Sequence, residues 1–208
     1  MTETPAAQDY VRLERLVFFS DAIFAIAITL LVIEIHVPHL TGRITEQDLA
    51  DALLGLLPQY IGFLVSFFVI GRFWIGHHRT FGWLARADDT LIWRNLLFLM
   101  TIAFMPFPTA VLSNYAGSRV GVGLYAGWLM IAGLLNMWTL RHATAGPLLA
   151  EPAPPLVKYS RGVWIPIVTA TLALAGMAWD ARVGLIALLL SPLIGRVLMW
   201  QRRRSLAA

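Results

Sequence analysis

The amino-acid sequence predicts an all-α fold: a polytopic membrane protein with six transmembrane helices per subunit, in one domain over residues 1–208. Three observations predict it. Of 208 residues, 58% are apolar and only 13% charged, where a soluble domain is about half apolar and about a quarter charged. The charges are gathered in clusters, leaving long uncharged runs between them. The basic residues are distributed very unevenly between the two sides that six spans define.

A span needs about 20 mostly apolar residues. Six segments qualify, over 16–35, 53–74, 96–112, 120–140, 163–179 and 183–200. The first carries Asp21, and the last carries Arg196 about one turn from its end, where a long side chain snorkels to the interface. The first segment is too long for a secretory signal, and no small-residue cleavage site follows it, so it reads as retained. In the loop 36–52, Thr45 and Glu46 before AspLeuAlaAsp suggest a capped helix start. Pro106, Pro108 and Pro192 fall where helices kink or end. GlyPro and GluProAlaProPro make the loop 142–162 an irregular linker. Tyr125, Trp128, Trp138, Trp164, Trp179 and Trp200 are placed as an aromatic belt. Gly123 and Gly127 have the GxxxG spacing of close helix packing.

Orientation follows from lysine and arginine. With both termini on one side, that side receives thirteen basic residues and the other only Arg43, Arg119 and Arg182. Both termini are therefore expected in the cytoplasm, in a multi-pass cell-membrane protein. The run Arg202–Arg204 reads as an anchor near anionic lipid rather than a nucleic-acid patch. The connections are too short to hold a soluble catalytic domain, and no convergent catalytic set is present, so an enzyme is not expected. Absence of cysteine excludes disulfides, thiolate metal sites and a cysteine nucleophile.

The polar residues of the first span frame the functional question. A mid-membrane aspartate costs about 2.5–3.5 kcal/mol on an insertion scale, less near an interface, so Asp21 needs a partner. Arg15 lies six residues away and points about 120° off, which rules out the i, i+4 pairing. Partners must come from another helix. Trp74 and His77, near the end of the second span, and Asn95, at the start of the third, lie at a similar depth. These groups with Ser20 and Asp21 form either a packing network or a site for ion contact or proton exchange. The adjacent His77 and His78 point about 100° apart on a helix and make a poor chelating pair. On the same wheel Arg15, Phe19, Ala22, Ile26, Leu30 and Ile33 share one stripe, with Thr29 at its margin. Such a stripe alone fits a core face, a lipid face or a pore lining. Glu34 fits either a solvated helix end or a group that concentrates cations at an external mouth.

The run Arg15-x-x-x-Phe19-Ser20-Asp21, followed by AlaIlePheAlaIleAlaIleThrLeuLeuValIle, resembles the first-helix signature of the transmembrane protein 175 family of lysosomal and bacterial potassium channels. PheTrpIleGlyHisHisArg at 73–79, AsnLeuLeuPheLeu at 95–99 and PheMetProPheProThr at 104–109 extend the resemblance across the first three spans. The length matches one six-helix repeat, as in bacterial members. The resemblance implies a homotetramer in the lipid bilayer, permeant to K+ and without a cofactor, a metal site or a carbonyl filter. It implies a central pore lined by the first helix of each subunit, with Ile26, Leu30 and Ile33 at the hydrophobic constriction and Thr29 at a position where some members present a hydroxyl. Arg15, Phe19, Ser20, Asp21, Trp74, His77 and Asn95 then form the signature-motif network. No nucleic-acid or soluble partner is implied. A small proton- or cation-coupled transporter using Asp21, Glu34 and His77 is the alternative, weakened because these groups sit near span ends.

Overall fold

The computed structural model describes residues 5–115, 117–144, 147–150 and 162–190. Helices α1 (Pro5–Leu30), α3 (Leu57–Phe81), α4 (Asp89–Phe104) with α5 (Pro106–Asn114), and α6 (Arg119–Thr144) supply four candidate membrane spans. Between α1 and α3 lies the short α2 (Glu46–Gly55), and beyond α6 come α7 (Trp164–Trp179) and α8 (Ala181–Leu189). No strand occurs among the described residues; a single bridge pairs Leu84 with Leu149. The protein is all-helical and multi-pass.

Local chemistry sets several of the helix ends. Thr45 and Asp48 make a reciprocal capping box at the start of α2: the Thr45 hydroxyl accepts from the Asp48 N–H, and the Asp48 carboxylate accepts from the Thr45 N–H at 2.9 Å. The Thr45 hydroxyl also donates to that carboxylate at 2.6 Å, and this bond, with the one from the Thr45 N–H, holds the Asp48 carboxyl below its ordinary range. Asp88 caps α4, accepting from the Leu91 N–H at 2.7 Å, and Asp180 caps α8 from the Arg182 N–H at 2.7 Å. Pro106 cannot supply an N–H to continue α4, so the helix breaks at Met105 and restarts as α5.

Two apolar clusters hold the helices together. The larger joins Phe24 and Ala27 of α1, and Leu31 just after it, to Ile70 and Phe73 of α3, Phe98 and Ile102 of α4, and Leu129 of α6. The second brings Leu13 and Leu16 of α1 against Phe81, Leu91 and Leu140. Close approach depends on small residues. A Cβ on Gly62 would lie 2.0 Å from the Ser113 hydroxyl, and one on Gly184 would lie 2.7 Å from the Ala173 carbonyl.

The structure moves several expected boundaries. The second span begins at Leu57, behind a separate α2, and runs past Trp74 to Phe81, so both His77 and His78 are helical. Hydropathy ends a span where polar residues begin, whereas a helix continues wherever its backbone bonds do. Tyr125 is not a belt residue: it is fully buried, and its hydroxyl lies 3.0 Å from that of Ser66. A Cβ on Gly123 would meet Met177, but one on Gly127 would meet nothing within 4 Å among the described residues, so the two glycines do not mark one close helix contact there. His142, Ala143 and Thr144, expected in the linker, extend α6 instead. Arg196, Trp200, Pro192, Arg202–Arg204 and the later part of the sixth expected span lie outside the described residues.

Candidate functional site

Helix α1 is divided lengthwise into two faces. Leu13, Leu16, Ser20, Phe24, Ala27 and Leu31 recur at intervals of three or four residues, and all are buried. That periodicity fixes how α1 sits against α3 and α4. On the other face Ile26, Leu30 and Ile33 are 54%, 39% and 65% exposed within the chain. Arg15, Phe19, Ala22 and Thr29 are exposed there too. Only 28% of the most apolar stretch of α1 is buried, against 39%, 50% and 44% in the other three spans. The least covered span is the one that carries the signature.

A hydrogen-bonded relay locks the buried face. The Ser20 hydroxyl donates to the Leu16 carbonyl at 2.7 Å and accepts from Asn95 Nδ2 at 2.9 Å. The Asn95 carbonyl oxygen accepts from His77 Nε2 at 3.0 Å. This chain of bonds assigns the Nε2–H tautomer to His77. The ring of His77 stacks on Phe81 with centroids 3.8 Å apart, and its Nδ1 is buried with no partner among the described residues. Asp21 is served separately: Trp74 Nε1 donates to its carboxylate at 2.8 Å. Ser20, His77 and Asn95 are essentially inaccessible, while Asp21 is only partly buried. Such a bond to a charged acceptor contributes about 1.5–3 kcal/mol.

The geometry brings Ser20, Asp21, Trp74, His77 and Asn95 to one level between α1, α3 and α4. It does not bring in Arg15 or Phe19. Phe19 is one residue from Ser20, hence about 100° round the helix, and both Arg15 and Phe19 belong to the uncovered face. They line a groove of about 440 Å³ between α1 and α4, with Arg12, Leu16, Ile92 and Leu96. Arg12 is paired with Asp89 across that groove.

The other end of α1 tightens into a 3-10 turn over Leu31–Glu34. A residue in that turn rises about 2.0 Å and turns about 120°, against about 1.5 Å and 100° in an α-helix. The tightening swings Ile33 more nearly over Leu30 than an α-helical turn would. The Thr29 hydroxyl donates to the Ile26 carbonyl at 2.9 Å, and its oxygen, on an exposed residue, keeps its lone pairs as acceptors. Glu34 ends the turn, its carbonyl 3.0 Å from His36 Nδ1. The following backbone is tied down by Gln59, which accepts from the His36 N–H at 3.2 Å and donates to Asn114 at 3.1 Å.

Among the polar contacts that the sequence did not reveal, two tie helices together inside or across the bundle. One is the tie through Gln59 and Asn114. The other is buried mid-bundle, where the Ser66 hydroxyl meets Thr109 at 2.7 Å and Tyr125 at 3.0 Å. Single Ser, Thr and Tyr residues inside apolar runs were the available signal, but nothing in a linear sequence pairs them. Among the described residues no group of three or more His, Asp or Glu side chains is placed to hold a metal ion.

The family model described as endosomal/lysosomal potassium channel TMEM175 matches residues 15–106, which contain the whole relay. A potassium channel of Chamaesiphon minutus is 44% identical over 158 residues, covering 74% of this chain and 75% of the relative. A potassium channel of Streptomyces collinus is 39% identical over 138 residues, or 64% and 66% of the two chains. The fold resembles the crystal structure of a lysosomal potassium-selective channel TMEM175 homolog from Chamaesiphon minutus. The TM-score is 0.72 at 32% identity, and 89% of this chain and 96% of that one are covered. With its signature helix, its fold and its sequence in agreement, this chain belongs to the TMEM175 family.

Proposed function

We propose that four copies of this chain form a potassium-permeable channel in the bacterial inner membrane, with α1 of each copy lining a central pore. The observation that carries the reading is the two-faced α1. One side is locked by the Ser20–Asn95–His77 relay, and the other leaves Ile26, Leu30 and Ile33 uncovered in the least buried span. The names of the bacterial relatives support potassium as the permeant ion. In this reading each subunit has six spans, and both termini are cytoplasmic.

Rings of Ile26 and Leu30 lie about 6 Å apart along the axis. Ile33 follows at about 6 Å rather than 4.5 Å, because the last turn is 3-10. Apolar rings of this kind gate by dewetting. They offer a cation no oxygen, so it crosses by shedding part of its hydration shell without replacement. Potassium holds water less tightly than sodium and crosses more easily. Thr29, beside the stripe, places a hydroxyl oxygen near the constriction. Glu34 at the outer end draws cations toward the mouth.

Flux in reconstituted vesicles tests this directly. Potassium should pass faster than sodium, without dependence on a second ion gradient, and planar bilayers should show single-channel steps. Ile26→Asn should wet the constriction, raising conductance and lowering potassium preference. If both quantities are unchanged, Ile26 does not line the path.

A further inference from the structure

The uncovered face of α1 continues below the constriction into a groove that the pore alone does not explain. Between α1 and α4, Arg12 and Arg15 edge a cleft whose apolar wall is Leu16, Phe19, Ile92 and Leu96. On a wheel of about 100° per residue, Arg12 and Leu16 lie on one side of the Ile26 stripe. Glu14 and Phe18 lie on the opposite side, where they make a ridge at i, i+4 spacing. Phe18 is 65% exposed, and neither Glu14 nor Arg15 makes an ion pair among the described residues.

We propose that this groove is the docking site for the Glu14–Phe18 ridge of a second copy of the chain. The inference rests on the channel reading, in which α1 is the innermost helix of a ring. In a cyclic ring each subunit presents one flank of α1 to its neighbour and receives the opposite flank from the other side. Rotation about an axis normal to the membrane also preserves depth, so Glu14 meets the next copy at the level of Arg12 and Arg15. Phe18 then arrives at the level of Leu16 and Phe19, the apolar part of the cleft. Charge meets opposite charge, and the aromatic ring meets aliphatic wall, with no shift of register. Lipid tails would cover the apolar wall but would leave Glu14 beside no cation. The contact also separates the four Arg15 side chains near the axis, by giving each an acidic neighbour.

The absence of cysteine makes the test clean. Phe18→Cys and Leu96→Cys are placed on separately tagged copies and co-expressed, so only a contact between chains links the two tags. Mild oxidation or a short bismaleimide should give linked pairs carrying both tags, and neither variant should do so alone. In detergent, Glu14→Arg should weaken assembly by roughly tenfold or more, as loss of a close interfacial charge pair does. Glu14→Arg combined with Arg15→Glu should restore it. Intact oligomers with no mixed cross-link would overturn the proposal and assign the groove to lipid or to another part of the neighbour. Failure of the charge swap to restore assembly would overturn the register. Cross-linking in a preparation that conducts no potassium would leave this interface standing and remove the channel reading instead.

Discussion

Ser20, Asn95 and His77 have nowhere to hide their polar atoms, and the sequence places them on three different helices. Each is essentially inaccessible, and an unpaired buried donor costs about 1–3 kcal/mol. The relay that satisfies them is therefore also a device that fixes the rotation of α1, since Ser20 reaches Asn95 at only one azimuth. Asn95→Leu should remove two bonds and strand the His77 Nε2–H and one Ser20 lone pair. We expect a loss of about 1–3 kcal/mol, read as a lower unfolding temperature in detergent; an unchanged temperature would refute the relay's structural weight. At this scale the sequence was legible in part. The cost of a membrane aspartate demanded a partner from another helix, and Trp74 supplies it. The wheel also separates Arg15 and Phe19 from Ser20, yet motif membership had grouped them. A motif records which residues occur together, not which of them touch. Tyr125 shows the opposite failure: its hydroxyl looked like an interface group, but Ser66 offered it a partner in the core.

Helix ends were the least legible feature, because hydropathy sees apolar side chains and helices end where backbone bonds and caps dictate. Apolar Leu53, Leu54 and Leu56 ran the expected span back into α2, and polar residues after Trp74 cut it short of Phe81, while the capping box of α2 was visible because Thr45 and Asp48 stand at the required spacing. The start of α4 shows what such an end can hold. Asp88 caps α4 and also meets His142, in the last turn of α6, at 2.9 Å. An anion at a helix start and an imidazole at a helix end both suit the helix dipoles. Burial alone pushes the Asp88 carboxyl up, but the Leu91 N–H, the His142 ring and the Arg94 charge together outweigh it and hold it below 3.8. A depressed carboxylate contributes stability that is complete above its unfolded value and is lost as pH falls through its folded one. Asp88→Ala should therefore cost about 0.5–2 kcal/mol near neutral pH. The gap from the unmodified protein should narrow as pH falls below 3.8. Unfolding temperatures of the two proteins against pH measure this. A gap that stays constant down to about pH 2 would show that Asp88 titration is not coupled to folding.

For the whole molecule, one division of labour runs through α1 and out to the assembly. The buried stripe and the relay set the orientation of the helix, and in the proposed channel the uncovered stripe faces the pore axis. The tie through Gln59 and Asn114 holds the far end of α1, where the 3-10 turn swings Ile33 toward the line of Leu30. The constriction proposed for the channel would discriminate between cations by a different principle from a carbonyl cage. A cage replaces the lost water with oxygen at a set radius and so rejects ions on both sides of potassium. Isoleucine and leucine rings replace nothing, and the barrier follows the cost of stripping water. Permeability measured under bi-ionic conditions should then rise with ionic radius, lithium below sodium, sodium below potassium, and rubidium and caesium no lower than potassium. A sharp maximum at potassium, with caesium strongly excluded, would require oxygen ligands in the path. Thr29 is the first place to look for them, since it carries a hydroxyl on an exposed residue beside the stripe. Thr29→Val would separate the two cases: it should flatten a potassium maximum that depends on the hydroxyl, and should leave a dehydration series in the same order.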